Sequence, residues 1–155
     1  MARRIVTVLA AGGILAALIG LNLAAGVVSA SSSTLTVVER GITDTVVDLG
    51  KPGDSIGDLL AFGNPIYDAA NVHKIGRDEG SCVRTNPGVA WECTYTTILR
   101  GGSLTVEGPY HDSLVDSALA ITGGTGIYRS ARGEMTLHAR DATGSAFDFV
   151  FHIFQ

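Results

Sequence analysis

Short runs in which apolar and polar residues alternate recur every ten to fifteen residues after residue 30. The clearest run is Phe147–Phe154, where three phenylalanines and an isoleucine occupy alternate positions. Alternation with a period of two is typical of β-strands that bury one face. No twelve-residue window of this region shows clean helical periodicity, and glycine and proline are scattered through it. The sequence therefore predicts an all-β domain.

Eight antiparallel strands joined by turns can close into a barrel, which removes exposed edges and leaves a mouth for a small ligand. We therefore predict an eight-stranded antiparallel β-barrel with an apolar central cavity, and a flat sandwich is the alternative. The predicted strands are Leu35–Glu39, Leu59–Ile66, Gly80–Thr85, Val89–Leu99, Ser103–Val106, Ser117–Thr122, Glu134–Arg140 and Phe147–Phe154.

Residues 1–30 differ in character from the rest of the chain. Met1–Arg4 is positively charged, Ile5–Val28 is almost entirely apolar, and small residues end the segment. This pattern predicts a secretory signal peptide, followed by a barrel domain over residues 31–155. Because the apolar run exceeds the length of about 7–15 residues usual in signal peptides, an uncleaved anchor is the alternative, and it is the only membrane contact we expect. Either way, the domain is expected outside the cell.

The charge of the predicted mature domain argues against a nucleic-acid partner. Residues 31–155 contain 9 Lys+Arg and 15 Asp+Glu, a net charge of −6, and no basic run of five residues occurs. Release of counterions from nucleic acid therefore has no obvious source on this domain.

Both cysteines of the chain flank a predicted hairpin turn, Asn86–Val89. Proline at its second position and glycine at its third are typical of a type II turn. In a regular hairpin around this turn, Arg84 faces Trp91 and Cys82 faces Cys93. Export makes a disulfide chemically permissible. The register permits a Cys82–Cys93 disulfide without requiring it, since a bulge would separate the thiols, so bridge and free thiols both stay open.

Several familiar kinds of site are not indicated. Gly123–Gly126 resembles a phosphate-binding loop, but a strand rather than a helix is predicted after it, so we interpret it as a tight turn with glycines at positive φ. The four histidines lack the spacing of a metal site. Ser113 and His111 are neighbours in a predicted loop, which does not indicate a nucleophile paired with its base. We predict no metal and no cofactor. Four aspartates are interpreted as solvated charges: Asp44, Asp48, Asp54 and Asp58.

Four other residues lie within or at the ends of apolar strands, where a polar group needs a partner. They are Asn64, Cys82, Glu107 and Tyr110. Each is a candidate for the lining of a binding site.

Longer motifs are spread from about Leu35 to the C-terminus. They are Ser55–Tyr67, Lys74–Val83, Leu104–Tyr110, Leu119–Ile127 and Ala131–Gly133. These segments resemble allene oxide cyclases, and the Gly-Gly-Thr-Gly and Ala-Arg-Gly elements are shared with the related dirigent proteins. The resemblance implies an eight-stranded antiparallel barrel with a largely apolar cavity. It also implies a homotrimer, since that family commonly assembles as a trimer.

The resemblance also assigns site residues. The cavity asparagine of the family falls on Asn64, its cavity cysteine on Cys82 and the tyrosine of its Gly-Pro-Tyr motif on Tyr110. Asn64 is expected to hold an oxygen or an ordered water, and Tyr110 to donate a hydrogen bond to the substrate or stack on it. Cys82 and Glu107 are expected to line the substrate-binding site.

The N-terminal strand of the family supplies a glutamate and an asparagine, followed by a proline. In this chain those places fall on Thr34, Thr36 and Thr43, so Thr34 and Thr36 are candidate substrate-binding residues and the acid is missing. Glu39 lies five residues from Thr34 and therefore on the opposite face of the strand, so we interpret it as a poor substitute. The acidic and basic groups of dirigent proteins are not matched either.

These observations support two main hypotheses of function. The first is a secreted isomerase or cyclase that guides ring closure of an apolar, unsaturated small molecule in the cavity. The second is a binding module that captures or steers an apolar or aromatic molecule without catalysis, which the missing acids favour. A barrel filled by its own side chains, with a purely structural role, is a third alternative.

Overall fold

The computed structural model describes residues 31–155, and the predicted leader lies outside the described residues. These residues form ten strands and one short 3₁₀ turn. The strands are β1 (Ser32–Arg40), β2 (Thr45–Val47), β3 (Leu59–Phe62), β4 (Pro65–Asp68), β5 (Lys74–Asn86), β6 (Ala90–Leu99), β7 (Gly102–His111), β8 (Ser117–Gly124), β9 (Arg132–Ala139) and β10 (Ala146–Phe154), with the 3₁₀ turn over Gly126–Tyr128.

The sheet closes into a barrel. From β5 to β10, each strand pairs with the next along the chain, β10 pairs with β1, and β1 returns to β5 through β4. β3 and β4 pair with successive parts of β5, so together they occupy one strand position of the barrel. The result is the predicted all-β barrel with eight antiparallel strand positions, and the sandwich alternative is wrong. β2 pairs with β3 outside the closed ring.

The strand boundaries differ from the prediction in several places, and β1 and β5 begin earlier than predicted, at Ser32 and Lys74. The predicted strand Leu59–Ile66 is broken at Gly63 and Asn64, because the Asn64 backbone N–H turns to donate to a carboxylate oxygen of Asp78. β7 runs on to His111, because its residues remain paired with β6 beyond the glycine and proline that seemed to end it. β2 was not predicted, since all three of its residues are exposed and no burial pattern marks it.

The barrel interior is filled by the inward-facing residues of the alternating strands. Three phenylalanines of β10 lie on the inner face, and the ring of Phe149 packs 5.5 Å from that of Tyr95 on β6, centroid to centroid. Each buried side chain of this size stabilises the fold by roughly 1.5–3 kcal/mol. On the facing strand, Gly80 is required, because a Cβ there would lie 2.2 Å from the Cβ of Tyr95. The small residue lets the aromatic ring reach the interior.

The hairpin between β5 and β6 follows the predicted register. The Val89 N–H donates to the Asn86 carbonyl across 3.0 Å, and Gly88 has a φ of 69°. Arg84 pairs with Trp91, and Cys82 pairs with Cys93. The register irregularity lies at Thr85, next to the turn, and leaves the cysteines in register. The two cysteines form a disulfide, which decides between the two states that the sequence left open.

The Gly-Gly-Thr-Gly segment was predicted as a tight turn with glycines at positive φ, but Gly123 and Gly124 are the last residues of β8, and the connection to β9 runs through the 3₁₀ turn. Gly126 alone among its three glycines has a positive φ, of 59°. A Cβ at Gly126 would lie 1.9 Å from the Gly101 carbonyl oxygen, so close backbone packing fixes this glycine. Within residues 31–155, the structure contains no helix of the length and hydropathy that a membrane span requires.

Candidate functional site

An apolar cavity of about 70 Å³ lies inside the barrel. It is open at the end where Asp44 and Gly144 reach the surface. Aromatic and aliphatic side chains form most of its wall, together with the disulfide and two carboxyl groups. The lining residues are Glu39, Asp44, Leu60, Phe62, Cys82, Cys93, Tyr95, Tyr110, Leu137, Gly144, Phe147 and Phe149.

The disulfide forms part of the cavity wall. Cys82 and Cys93 are both buried and both line the cavity. Cys82 therefore lies at the cavity, as expected, but as half of a disulfide, and no free cysteine occurs among residues 31–155. A thiol nucleophile or thiol hydrogen-bond donor is absent from this wall in the oxidised protein.

Asn64 is buried at the break between β3 and β4, and all of its side-chain contacts are to the protein. Its Oδ1 accepts hydrogen bonds from the N–H groups of Ile42 and Thr43 and from the Thr43 hydroxyl, at 2.9–3.0 Å. Its Nδ2 donates to Glu39 Oε1 and to Asp44 Oδ1, each at 2.7 Å. Asn64 thus fixes the chain between β1 and β2 and holds the two carboxyl groups that line the cavity.

The Glu39 carboxyl is only 6% exposed and has a second acid beside it. Asp78, which is fully buried on β5, shares a hydrogen bond with Glu39. Burial, followed by the charge of Asp78, raises the pKa of Glu39 well above its ordinary value. Burial also raises the pKa of Asp78 to about 6, although the hydrogen bond from Glu39 opposes this shift. Both shifts favour the protonated form of a carboxyl group in this pair.

The position of Glu39 reverses an expectation drawn from the sequence. Glu39 and Thr34 do lie on opposite faces of β1, but the cavity is on the face of Glu39. Thr34 is exposed and contacts His152 at 3.5 Å, and Thr36 shares its face, outside the cavity. Glu107 is likewise exposed, on the outer face of β7. The structure brings none of these three candidates to the cavity lining.

Tyr110 lies at the cavity, as expected from the Gly-Pro-Tyr motif. Its ring packs edge-on against Phe147, with the centroids 6.0 Å apart. Partial burial, reinforced by the charge of Asp112, raises the pKa of Tyr110, so its hydroxyl keeps its proton at neutral pH. Tyr110 therefore offers a hydrogen-bond donor on the wall of the cavity.

All four aspartates interpreted as solvated charges accept hydrogen bonds within the protein, and the interpretation is wrong for Asp58, the buried one. Asp58 is buried and accepts hydrogen bonds from the backbone N–H groups of Leu49 and Ser55, which lower its pKa. Asp54 pairs at 2.6 Å with Arg84, which stacks 3.9 Å above the ring of Trp91. Among residues 31–155, no group of three or more acidic, histidine or cysteine side chains is arranged to hold a metal ion.

The comparisons with known proteins agree with this fold. A model of the family described as allene oxide cyclase matches residues 36–142. The chain belongs to the allene oxide cyclase family. Among solved structures, a pyocyanin demethylase is 25% identical, with a TM-score of 0.65, and the match covers 77% of this chain and all of that one.

Two further structures share the barrel at lower identity. The pterocarpan synthase dirigent protein GePTS1 is 17% identical, with a TM-score of 0.64, and the match covers 81% of this chain and 87% of that one. The exo-specific intermolecular Diels-Alderase AbnU is 16% identical, with a TM-score of 0.59, and the match covers 81% of this chain and 99% of that one. The fold of this chain is therefore shared with both dirigent proteins and cyclases.

The acids Glu39, Asp44 and Asp78 were not predicted as site residues, yet part of the signal was in the sequence. Asp78 lies four residues before Cys82 on one strand, so both share a face, and Cys82 was already expected at the cavity. Glu39 follows two fully buried valines, Val37 and Val38, so the apolar pattern does not show which face of β1 holds the cavity. Asp44 lies in an irregular segment held by Asn64, and no periodicity indicates its place.

Proposed function

We propose that the protein is an isomerase or cyclase of an apolar, unsaturated small molecule, with Glu39 as the acid. The observation that carries this proposal is a buried carboxyl group, whose pKa burial raises, at the wall of an apolar cavity. Strongly shifted acids inside a cavity are typical of general acid–base catalysis. The acid that seemed missing from the N-terminal strand is thus supplied from the other face of the same strand.

The arrangement around Glu39 suits an acid that protonates the substrate and takes the proton back at the end of the reaction. Asn64 Nδ2 fixes the carboxyl group at Oε1, while Asp78 holds the proton between the two acids. When Glu39 transfers this proton to an oxygen of the substrate, two carboxylates are left side by side in a buried site, which is unfavourable. The proton therefore returns when the ring closes. Such a cycle leaves the composition of the substrate unchanged, as isomerisation requires.

The rest of the cavity contributes shape and one further hydrogen bond. The apolar wall restricts a flexible substrate to few conformations, which favours one ring closure over the others. Tyr110 can donate to a second oxygen because its hydroxyl stays protonated. The disulfide keeps the wall between β5 and β6 closed and takes no part in proton transfer.

A test uses an allene oxide generated in place from an unsaturated fatty-acid hydroperoxide, as the free acid and as the methyl ester, with chiral analysis of the cyclopentenone. We expect one enantiomer in excess over the racemic background. The excess should be lost in Glu39→Gln, since the amide gives no proton, and kept in the control Glu134→Gln, whose side chain is exposed on β9. A racemic product from both substrate forms would contradict the proposal for this substrate.

The second candidate function is a binding or steering module without proton transfer. It is favoured by the hydrogen bond from Glu39 to Asp78, because the proton of the acid is already engaged within the protein. In that case Glu39→Gln binds ligand as well as the wild type does, and no turnover of any substrate depends on residue 39.

Export and assembly are also part of the proposal. Export of the barrel by residues 1–30 is supported by the Cys82–Cys93 disulfide, because such bonds persist mainly in oxidising compartments. The mass of the exported protein should correspond to an N-terminus at Ser31, and an intact Met1 would contradict cleavage. A homotrimer is proposed from the family alone, and light scattering of the purified protein tests it.

A further inference from the structure

The cavity is lined by acids and by no bases. Two of its lining residues, Glu39 and Asp44, carry carboxyl groups, and none is lysine, arginine or histidine. The nearest buried cation in this part of the barrel, Arg84, lies outside the lining and is already engaged by Asp54 and Asp112, each at 2.6 Å. Nothing on the wall therefore neutralises an anionic ligand, and a carboxylate that enters would lose its water and pass the like charge of Asp44.

Aromatic rings strengthen the same preference. Five aromatic side chains line the cavity, and aromatic faces carry a negative quadrupole that attracts cations. They are Phe62, Tyr95, Tyr110, Phe147 and Phe149. The wall thus combines a surface on which an aromatic ring packs well with an electrostatic field that favours positive charge.

The size of the cavity decides where the charge of a ligand lies. At about 70 Å³, the cavity is less than half of the roughly 150 Å³ that encloses a benzene molecule in an engineered protein cavity. An aromatic ring can therefore enter only in part, and its substituent stays at the mouth. The carboxylate of Asp44 lies at this mouth, exposed to solvent on one side and held by Asn64 on the other.

We infer that the cavity binds the aromatic ring of a protonated amine, with the ammonium group at the mouth beside Asp44, and rejects aromatic carboxylates. This inference rests on the proposed site but not on its catalysis. It names the preferred ligands of the cavity as cationic or uncharged molecules, with aromatic compounds among them. It also excludes free fatty acids bound with their carboxylate inside the cavity.

Calorimetric titration with benzylammonium, benzyl alcohol and benzoate tests this inference on the oxidised protein at neutral pH. A carboxylate about 6 Å from an ammonium group, in an effective dielectric between those of protein surface and water, predicts about tenfold tighter binding of benzylammonium than of benzyl alcohol. Benzoate should bind more weakly than benzyl alcohol. Asp44→Asn should remove the advantage of benzylammonium and leave the affinity for benzyl alcohol unchanged, because asparagine can still accept the Asn64 hydrogen bond.

The control is Asp116→Asn, since Asp116 is an exposed aspartate paired with His138 on the outer surface, and it should alter none of the three affinities. Raising the ionic strength from about 0.05 M to about 0.5 M should bring the affinities for benzylammonium and benzoate closer to that for benzyl alcohol, since salt screens an exposed carboxylate. The affinity for benzyl alcohol itself should not change. Benzoate binding as tightly as benzyl alcohol would overturn the inference, as would an ammonium preference that survives in Asp44→Asn or no binding by any probe. Turnover that depends on Glu39 would still support the proposed function in each of these cases.

Discussion

Glu39→Gln should stabilise the protein at neutral pH, although it removes the proposed acid. Burial raises the pKa of Glu39 in the folded protein well above its ordinary value, whereas a glutamate in an unfolded chain titrates at about 4.3. A raised pKa in the folded state means that stability is greatest below the unfolded value and is lost as the pH rises. The loss grows by up to about 1.4 kcal/mol for each pH unit above the unfolded value, over the range in which the folded protein keeps the proton.

Glutamine at position 39 imitates the protonated acid. Its carbonyl can accept the Asn64 hydrogen bond, and its amide can donate to Asp78. We therefore expect equal stability of the wild type and Glu39→Gln near pH 4, and an advantage of the variant that grows as the pH rises toward 7. Urea unfolding of the oxidised proteins at several pH values measures this difference, with Glu134→Gln as the exposed control. Parallel curves for the wild type and Glu39→Gln would refute a protonated Glu39 in the folded barrel.

Three other substitutions test the fold around the cavity. Replacing both Cys82 and Cys93 by serine should cost about 3 kcal/mol in urea unfolding, because the disulfide closes a short loop in the unfolded chain. No change in stability would mean that the bond is not formed in the purified protein, which intact mass after alkylation would also show. Phe149→Ala should cost about 3–5 kcal/mol, since it removes a fully buried ring from the barrel interior. Gly76→Ala should lower the melting temperature or prevent folding, because a Cβ there would lie 2.2 Å from the Ile98 carbonyl oxygen, and an unchanged melting temperature would contradict this packing.

The fold was largely predictable because the barrel obeys a local rule along each strand. Inward and outward residues alternate, and the prediction needed only this period and the turn residues. The hairpin register followed from Pro87 and Gly88, whose backbone preferences specify the turn. The Gly63–Pro65 run is a local turn signal that the prediction passed over, whereas the hydrogen bonds that hold the break reach segments 14 to 25 residues away in sequence. Local propensity contains no information on such partners.

The site was predicted only in part, for a related reason. Alternation shows which residues share a face, but it does not say which face is inside when both contain polar residues. On β1 the two faces are Thr34 with Thr36 and Leu35 with Glu39, and the family resemblance favoured the first pair. In the structure the face of Leu35 and Glu39 is the inner one, because hydrogen bonds from Asn64 and to Asp78 compensate for the burial of the glutamate. Tyr110 and Cys82 were found because they match motifs residue by residue.

The energetic cost of the carboxyl pair argues against a purely structural barrel. Glu39 and Asp78 both have raised pKa values, and each raised value records free energy that the folded state loses at neutral pH. A barrel filled only for stability would replace such a pair by apolar side chains of similar volume, which is often neutral or stabilising for buried charged groups. Here the pair is instead placed where one acid opens onto a cavity and the other holds its proton. That arrangement is the one a proton donor requires, whereas a filler side chain requires neither the cavity nor the proton.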